Sequence, residues 1–356
     1  MKKKINLLFF APSDSIHAIK WINFFINKNY DITWVSFSNK RIEEKRIKFL
    51  SIKKPSSLID WIFTFFRLNF ALKSNLFDIL HVHSIGSYGL LGHMFKIKKK
   101  IYTIWGSDYL INKKNIFKNF VINQILKSNS LITTDAFHIK DKINQEFPEC
   151  RVELINFGID IKKFTKKKIK KNNANVIISN RNFYEIYNIK IILNAIKVLI
   201  NDKFNIKLLL IGDGPEKKSL NEFVHKNNLS KFIKFLGSFQ NNKIPHLLSK
   251  ANIYISASKS DAGLSSSTAE AMASGLTCVV SDVYDNNKWI INNKTGFTFK
   301  CDDLNSLITV LKSAILYNEK KSSKIQINAR KKIIKYNNYI TEMNKMENLL
   351  KKELFS

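Results

Sequence analysis

The chain has 356 residues, of which 45% are hydrophobic, and 59 Lys and Arg against 28 Asp and Glu give a formal net charge of +31. This length predicts two domains, and the composition excludes a disordered chain. No run of about 18 uncharged apolar residues occurs, so no membrane-spanning helix is expected. The charge predicts an anionic partner such as nucleic acid, acidic lipid or a phosphorylated substrate, while an AT-rich coding bias is an alternative source of part of the lysine excess.

The N-terminal stretch MKKKINLLFFAPSDS has a basic start and a short apolar run, features that a signal peptide shares. Because the run is only about seven residues long and ends at a Pro-Ser-Asp turn, we expect a first buried strand there instead. The three cysteines, Cys150, Cys278 and Cys301, are odd in number and far apart, which argues against a disulfide framework and a zinc site. A reducing cytoplasm fits this cysteine usage best.

Short apolar runs alternate with longer amphipathic stretches, a pattern typical of strand-helix repeats and a mostly parallel sheet. In the first half the predicted strands lie near 4–11, 31–36, 78–83, 100–105, 130–134 and 151–156. In the second half they lie near 175–180, 205–211, 232–236, 252–257, 277–281 and 296–299. Each half therefore predicts its own doubly wound α/β domain, and the pattern beyond residue 302 is helical.

A lysine block separates the two halves. The stretch GIDIKKFTKKKIKKNNAN, residues 158–175, holds seven lysines between positions 162 and 171, and such blocks are usually solvated linkers. We expect an N-terminal domain over 1–165, a linker over 166–175 and a C-terminal domain over 176–336. The segment 337–356 is expected to form a helix that could pack back on the N-terminal domain.

The stretch SKSDAGLSSSTAEAMASGL, residues 258–276, follows a predicted strand and begins a helix at about Ser266. The first turn of such a helix presents unpaired N–H groups and the positive end of the helix dipole, which together suit a phosphate. Gly263 lets the backbone approach a ligand, and the serines and Thr268 add hydroxyl donors. The alternative is a capping box in STAE, with Ser267 as the cap and Glu270 folding back on its N–H.

Two more strand ends in the second half carry candidate ligand contacts. Gly212 and Gly214 form a turn after a buried strand, but the stretch is not GxGxxG and supports a dinucleotide only weakly. Arg181 follows the first strand of this half, where open parallel sheets bind ligands, and its planar fork suits a phosphate. A surface arginine paired with a carboxylate is the alternative.

In the first half, His17 is predicted in a loop after the first strand, and Asp108 of IWGSD follows another strand. A histidine with a local hydrogen bond and an N-cap are the respective structural alternatives. His81 and His83 share one face of a strand, but no third potential ligand lies at a spacing typical of a metal site, so no metal is expected there.

The stretch PSSLIDWIFTFFRLNFALK, residues 55–73, combines aromatic and aliphatic side chains with few charges. It could lie in a membrane interface, where neighbouring lysines add attraction to anionic lipid. The alternative is a helix packed on the sheet of the N-terminal domain.

Several motifs carry a family resemblance. NFGIDIKKF, LLLIGDGPEKKSL and AEAMASGLTCVVSD, in this order and spacing, resemble glycosyltransferase family 4, whose members are retaining enzymes of the GT-B fold. SIHAIKWINFF, ILHVHSIGSYGLLG and IWGSD are similar to a branch that builds bacterial surface polysaccharides. The resemblance implies two Rossmann-like α/β domains facing across a cleft. It also implies transfer of a hexose or N-acetylhexosamine from a nucleotide-sugar to a surface glycan or lipid-linked acceptor, as in polysaccharide, capsule or lipopolysaccharide synthesis.

The resemblance also implies roles for individual residues. Glu270 would bind the nucleotide ribose, and Arg181 would hold the diphosphate. The backbone of the loop would bind diphosphate and sugar, and it comprises Gly263, Leu264, Ser265, Ser266 and Ser267. Gly212 and Gly214 would lie beneath the nucleotide. His17 and Asp108 would lie at the acceptor rim of the N-terminal domain and are catalytic candidates, as are Arg181 and Asp261.

Three positions depart from the family pattern. Eight residues before Glu270, where a second glutamate is usual, the chain has Ala262 with Asp261 beside it. Asp261 is therefore a candidate for the missing contact to the donor sugar. Tyr187 and Asn188 occupy the place of an expected lysine, with Lys190 close by, and Trp105 replaces a histidine.

Departure of a nucleoside diphosphate leaves negative charge on the phosphate, which needs preorganised positive groups. Arg181 and the helix start at Ser266 would supply them. No Asp-x-Asp occurs, so we expect no metal or other cofactor, and the resemblance implies front-face attack in which the leaving phosphate takes the acceptor proton.

The expected partners are a nucleotide-sugar, a glycan or lipid-linked acceptor and an anionic membrane, which places the protein in the cytoplasm at the inner face of the cytoplasmic membrane. No nucleic acid is expected, because the lysines lack a recognisable binding module. A protein that binds nucleic acid or an anionic surface, and a GT-B-type sugar-nucleotide epimerase, are the alternative functions.

Overall fold

The computed structural model describes residues 4–28, 30–38, 44–73, 76–113, 115–165, 175–319 and 323–355. The chain divides into two compact α/β units, of which unit 1 comprises Met1–Phe157 with Thr341–Ser356 and unit 2 comprises Gly158–Ile340. Of the linker predicted from the lysine block, residues 166–174 lie outside the described part of the chain. Within the described part, no helix is both long enough and apolar enough to cross a membrane.

Unit 1 contains a parallel sheet whose strands run in the order β3-β2-β1-β4-β5-β6-β7. The strands are β1 Ile5–Phe10, β2 Tyr30–Ser36, β3 Ile47–Ser51, β4 Ile79–His83, β5 Lys100–Ile104, β6 Leu131–Thr134 and β7 Val152–Leu154. The helices that follow them are α1 Ile16–Ile26, α2 Leu58–Leu72, α3 Ser87–Met94, α4 Ser107–Asn112, α5 Ile116–Lys127 and α6 Phe137–Glu146. The central strands read as continuous apolar runs because helices cover both faces of the sheet.

Unit 2 is built in the same way, with strands in the order β10-β9-β8-β11-β12-β13. The strands are β8 Asn175–Ser179, β9 Ile206–Ile211, β10 Ile233–Gly237, β11 Ile253–Ser256, β12 Thr277–Ser281 and β13 Phe297–Phe299. The helices are α7 Ile189–Asn201, α8 Lys217–Lys226, α9 Ile244–Leu248, α10 Ser266–Ala273, α11 Asn286–Trp289, α12 Leu304–Glu319 and α13 Lys324–Tyr336. A 3-10 turn over Glu185–Tyr187 precedes α7.

The structure confirms the two predicted parallel α/β domains, and all twelve predicted strands are present within two residues of their expected bounds. The sequence analysis missed β3, an edge strand that pairs only with β2 among the described strands. Its side chains are half-buried or exposed except at Ile47, so it lacks the continuous apolar run that marks the central strands.

The last helix, α14 Tyr339–Phe355, contributes most of its length to unit 1. Met343, Met346 and Leu350 are fully buried. Polar contacts join the same helix to both sides of β7. After the strand the Asn156 N–H donates to Glu342 Oε2 over 2.7 Å, and before it Arg151 pairs with Glu353. The helix therefore closes the core of unit 1.

Each sheet has one point at which its strand order reverses, between β1 and β4 in unit 1 and between β8 and β11 in unit 2. In open parallel sheets the crevice beyond the carboxyl ends of such strands is the usual ligand site. The residues that follow these four strands are therefore the first candidates for a functional site.

Candidate active site

Arg181 lies two residues beyond β8, at the reversal point of the unit 2 sheet. Its guanidinium is buried, and it donates from Nη1 to Ser267 Oγ over 3.1 Å and from Nη2 to Ser258 Oγ over 3.2 Å. Ser258 follows β11 and Ser267 lies in the first turn of α10. The structure thus brings Arg181 together with both ends of the loop in the stretch 258–276, two candidate sites that the sequence predicts separately.

Asp261 forms a buried ion pair with Arg181 Nη2. An arginine paired with a carboxylate at the surface is the alternative that the sequence offers for Arg181. The pair is present, but both side chains are more than nine-tenths buried. Burial raises the pKa of the Asp261 carboxyl, and the charge of Arg181 opposes that rise. A buried guanidinium needs such a counter-charge, because an unpaired charge in the interior is strongly destabilising.

Tyr187 packs its ring against the Arg181 guanidinium, with the Arg181 Cζ atom 4.2 Å from the ring centroid. This tyrosine occupies the position where a second cation was expected, so an aromatic face takes the place of a charge. Lys190, the nearest lysine, is exposed in the first turn of α7. Sequence reasoning missed the stacking of Tyr187 on Arg181, since no local pattern shows which ring reaches a given guanidinium.

The start of α10 agrees with the predicted helix start at Ser266. The capping box considered as the alternative is absent at Ser267, because Ser265 caps the helix by accepting from the Thr268 N–H. Ser267 instead bonds to Arg181 and accepts from the Tyr254 hydroxyl over 2.9 Å. Helical geometry leaves the N–H groups of Ser266 and Ser267 without an intrahelical acceptor, so the first turn of α10 can receive an anion beside Arg181.

Glu270 lies further along α10 and is half-buried. It is three residues after Ser267 and four after Ser266, so helical geometry places it on the same face as those serines. Gly263 and Leu264 are buried in the loop that leads into the helix. The candidate donor residues after β11 therefore lie in one loop and the helix that follows it, which contact Arg181 through Ser258, Asp261 and Ser267.

Gly212 and Gly214 pack against the backbone that carries Arg181. A Cβ atom on Gly212 would come within 2.7 Å of the Arg181 carbonyl oxygen, and one on Gly214 within 2.5 Å of the Phe183 carbonyl oxygen. The Phe183 N–H also donates to the Asp213 carbonyl over 2.9 Å. These glycines thus position the loop that holds Arg181, in addition to forming the predicted turn.

We expect Gly214→Ala to lower the free energy of unfolding by about 1–3 kcal/mol more than Gly237→Ala, because only the former places a methyl group against backbone. Both glycines have positive φ, +156° and +77°, but a Cβ atom on Gly237 would meet nothing within 4 Å. Gly237→Ala is therefore a matched control for backbone strain. Denaturant unfolding of both variants checks the difference, and equal losses would contradict it.

In unit 1 a cavity of about 450 Å³ lies at the reversal point of the sheet. It is lined by residues that follow β1, β2 and β4, including Asp14, Ser38 and Ser84, together with Lys54 and Lys118. Most of these side chains are polar, and two are cationic. The cavity can therefore hold a hydroxylated or phosphorylated ligand.

His17 is the second residue of α1, so its predicted loop position is wrong. Its ring stacks on Phe157 with centroids 4.1 Å apart and meets the edge of Trp105. Burial, with a smaller effect of Lys20, lowers the pKa of His17 to about 4. The neutral ring is a weak base near neutral pH. Its buried Nδ1 has no hydrogen-bond partner among the described residues, so it could bond a ligand.

Behind His17, His81 and His83 are buried on β4. His81 Nε2 bonds to Thr103 Oγ1 over 2.8 Å, and Trp105 donates from Nε1 to His83 Nδ1 over 3.2 Å. Burial lowers the pKa of His81 to about 3 and that of His83 well below its usual value. Among the described residues, no group of three or more His, Cys, Asp or Glu side chains could hold a metal ion.

The lowered pKa of His17 predicts a pH effect on stability. The ordinary pKa is 6.5 and the folded value is about 4, so the folded state binds fewer protons between these limits. The contribution of neutral His17 to the free energy of unfolding should then be complete above pH 6.5 and should be lost as the pH drops toward 4. We expect His17→Phe, which keeps a ring beside Phe157, to reduce this loss. Thermal unfolding across the window checks it, and an unchanged slope would contradict it.

Asp108 is the second residue of α4, not its N-cap. Its Oδ2 accepts from the Ile85 N–H over 2.7 Å and its Oδ1 from the Trp105 N–H over 2.9 Å. Burial raises its pKa to about 6 against the effect of these bonds. Asp108 thereby ties the loop after β4 to the loop after β5, which positions Trp105 rather than presenting a free carboxylate.

Two family models match most of the chain. Residues 160–332 match the model for Glycosyl transferases group 1, and residues 6–136 match the model for Glycosyl transferase 4-like. The chain is also similar to the UDP-Gal:alpha-D-GlcNAc-diphosphoundecaprenol alpha-1,3-galactosyltransferase of Escherichia coli. They are 24% identical over 300 residues, which span 78% of this chain and 76% of the relative.

Two solved structures share the fold. A glycosyltransferase from Rickettsia africae aligns with a TM-score of 0.82 and 16% identity over 99% of both chains. HepE from Anabaena has been solved with UDP and with UDP-glucose. The structure with UDP aligns with a TM-score of 0.81 and 15% identity, over 98% of this chain and 100% of that one. The chain is therefore a glycosyltransferase with two α/β domains of the GT-B fold, a group 1 domain in unit 2 and a 4-like domain in unit 1.

Proposed function

We propose that the chain is a retaining glycosyltransferase of family 4 that moves a hexose or N-acetylhexosamine from a nucleotide-sugar to a surface glycan or lipid-linked acceptor. The observation that carries this proposal is the position of Arg181, buried at the reversal point of the unit 2 sheet beside the first turn of α10. A cation and a helix N-terminus at one crevice suit the diphosphate of such a donor.

In this mechanism Arg181 and the N–H groups of Ser266 and Ser267 stabilise the negative charge that builds on the leaving diphosphate. Glu270, on the same face of α10, binds the nucleotide ribose. Asp261 contacts the donor sugar while it holds Arg181, which makes it the substitute for the missing family glutamate. Lys190 lies on α7 and would reach the diphosphate only at its periphery.

The acceptor binds in unit 1, where His17 and the cavity at the sheet reversal supply hydrogen-bonding groups. The pKa of His17, lowered to about 4, makes it a poor proton acceptor near neutral pH. This supports front-face attack, in which the leaving diphosphate takes the acceptor proton and no metal or other cofactor takes part. Asp108 acts through the Trp105 loop and is a positioning residue.

The chemistry of the proposed acceptor suggests where in the cell the enzyme acts. The relative from Escherichia coli acts, by its name, on a diphosphoundecaprenol-linked sugar, and the present chain carries a net charge of +31. Both support a role in polysaccharide, capsule or lipopolysaccharide synthesis at the inner face of the cytoplasmic membrane, with peripheral contact to anionic lipid.

A panel of sugar nucleotides, scored for nucleotide release with and without membrane extract, tests the function. We expect one donor to turn over, and Glu270→Ala to weaken binding of its nucleotide, while Glu222→Ala on α8 serves as a control carboxylate. Thermal stabilisation by UDP or GDP but not by DNA at physiological salt would also separate this function from nucleic-acid binding. No turnover with any donor, together with unchanged nucleotide binding by Glu270→Ala, would overturn the proposal.

A further inference from the structure

Helix α2 of unit 1 is apolar on two opposite faces. The inner face packs on the core and consists of Trp61, Phe65, Leu68 and Leu72. The outer face is exposed to solvent and consists of Ile59, Phe63, Phe66 and Phe70, which are 64%, 70%, 63% and 87% exposed. The inner side of α2 confirms the expectation of a helix packed on the N-terminal domain, while its outer side leaves an apolar face exposed. A second apolar face on a helix is normally covered by another surface.

Helix α5 extends this exposed surface. Ile116, Phe117 and Phe120 are 90%, 53% and 60% exposed. Trp61 of α2 and Phe117 of α5 line one groove of about 180 Å³, so the two helices border the same opening. We call the exposed residues of these helices the α2–α5 face, which comprises Ile59, Ile62, Phe63, Phe66, Phe70, Ile116, Phe117 and Phe120. Exposed apolar side chains in this number, on two helices that border one groove, indicate an interaction site.

The charges around the α2–α5 face are mostly positive. Lys53, Lys54, Arg67, Lys73 and Lys118 are exposed in or beside the two helices. The single acidic residue of α2 and α5 is Asp60, whose carboxylate accepts hydrogen bonds from Ser56 and Ser57. Aromatic side chains bordered by cations match an anionic lipid surface, where the rings enter the interface and the cations meet the headgroups.

The groove connects the α2–α5 face with the polar cavity of unit 1. Its apolar part is lined by Trp61, Leu90, Phe117 and Val121. Lys54, Gly86, Ser87 and Lys118 line both the groove and the cavity of about 450 Å³ at the sheet reversal. Two lysines thus stand where an apolar channel meets a polar pocket, an arrangement that suits a lipid whose headgroup carries phosphate.

We propose that the α2–α5 face docks on an anionic lipid bilayer and that the groove admits the chain of a lipid-linked acceptor, whose phosphate meets Lys54 and Lys118. This inference rests on the proposed function, because it assumes an acceptor carried by a lipid. A second copy of the chain is the less suitable occupant. Two such faces would bring their lysines together, and like charges across an interface disfavour association.

Vesicle sedimentation tests the docking surface. The purified chain is mixed with vesicles of phosphatidylethanolamine and phosphatidylglycerol, or of phosphatidylcholine alone. We expect strong binding to the anionic vesicles only, and a loss of about tenfold or more in affinity for each of Phe66→Ser and Phe70→Ser, since a full phenylalanine side chain leaves the lipid. Phe355→Ser is the matched control, because Phe355 is 82% exposed and lies outside the face.

Two measurements keep the outcomes separate. Nucleotide binding and transfer to a water-soluble acceptor should be unchanged in Phe66→Ser and Phe70→Ser. If the wild-type chain neither binds nucleotide nor transfers sugar, that result counts against the proposed function and not against the docking surface. Leu90→Trp, which narrows the groove, should lower transfer to a long-chain lipid-linked acceptor while vesicle binding persists. Wild-type vesicle affinity in the phenylalanine variants, or a dimer of the chain that they dissociate, would overturn the docking proposal. Unchanged transfer by Leu90→Trp would overturn the role of the groove.

Discussion

Arg181→Ala is expected to reduce kcat/KM for the sugar nucleotide by about a hundredfold to a thousandfold, because in the proposed mechanism Arg181 stabilises the leaving diphosphate. The same change should weaken binding of the free nucleoside diphosphate. Arg181→Lys keeps the charge but loses the fork that reaches both Ser258 and Ser267, so it should fall between the alanine variant and the wild type. Steady-state kinetics and calorimetry of UDP or GDP binding provide the measurements.

Arg330 is the matched control, since Arg181 and Arg330 are the two arginines of unit 2. Arg330 donates to the backbone carbonyls of Ile161 and Phe164, over 3.2 Å and 2.6 Å, and also to that of Ala273. Its replacement by alanine should lower stability without a specific loss of nucleotide affinity. Nucleotide affinity that survives Arg181→Ala at the wild-type level would remove Arg181 from the site.

Asp261→Ala is expected to lower the free energy of unfolding by about 3–5 kcal/mol, because it leaves the buried Arg181 guanidinium without its counter-charge. Asp261→Asn keeps an oxygen that can accept from Arg181, so its loss should be smaller. Denaturant unfolding, monitored by a probe in unit 2, measures the free energy of unfolding of both variants. A stability equal to the wild type in the alanine variant would show that the pair contributes little.

Added nucleotide distinguishes the two roles proposed for Asp261, which are the counter-charge to Arg181 and the contact to the donor sugar. A bound diphosphate restores negative charge beside Arg181, so UDP or GDP should raise the melting temperature of Asp261→Ala more than that of the wild type. If Asp261 also contacts the donor sugar, the variant should lose turnover of the sugar nucleotide while it still binds the diphosphate. Wild-type turnover in Asp261→Ala would restrict Asp261 to the support of Arg181.

The strands could be predicted because buried parallel strands carry continuous apolar runs, which are a local signal, whereas the strand order and its reversal points required the folded chain. β3 carried no such signal, since an edge strand exposes much of its surface. The helix start at Ser266 was also local, because the serine run precedes an alanine-rich pattern. What the sequence could not indicate was which serine caps that helix, since Ser265 and Ser267 are both plausible caps and tertiary contacts with Arg181 and Tyr254 occupy Ser267.

The contacts of the candidate site depend on residues far apart in the chain. Arg181 and Asp261 are 80 positions apart, so no periodicity or spacing could show that they form a buried pair. The stacking of Tyr187 on Arg181 depends on the 3-10 turn that precedes α7. The sequence therefore predicted the residue types and the sheet edge at which they lie, while the pairing between them required the folded chain.

The assignment of Thr341–Ser356 to unit 1 has a consequence for synthesis of the protein. The residues of α14 that fill the unit 1 core are separated from the rest of that unit by all of Gly158–Ile340. A ribosome therefore releases every residue of unit 2 before it releases Met343, Met346 and Leu350. During translation unit 2 can fold first, while unit 1 waits with part of its apolar core uncovered, which makes the nascent unit 1 the more suitable client for a chaperone.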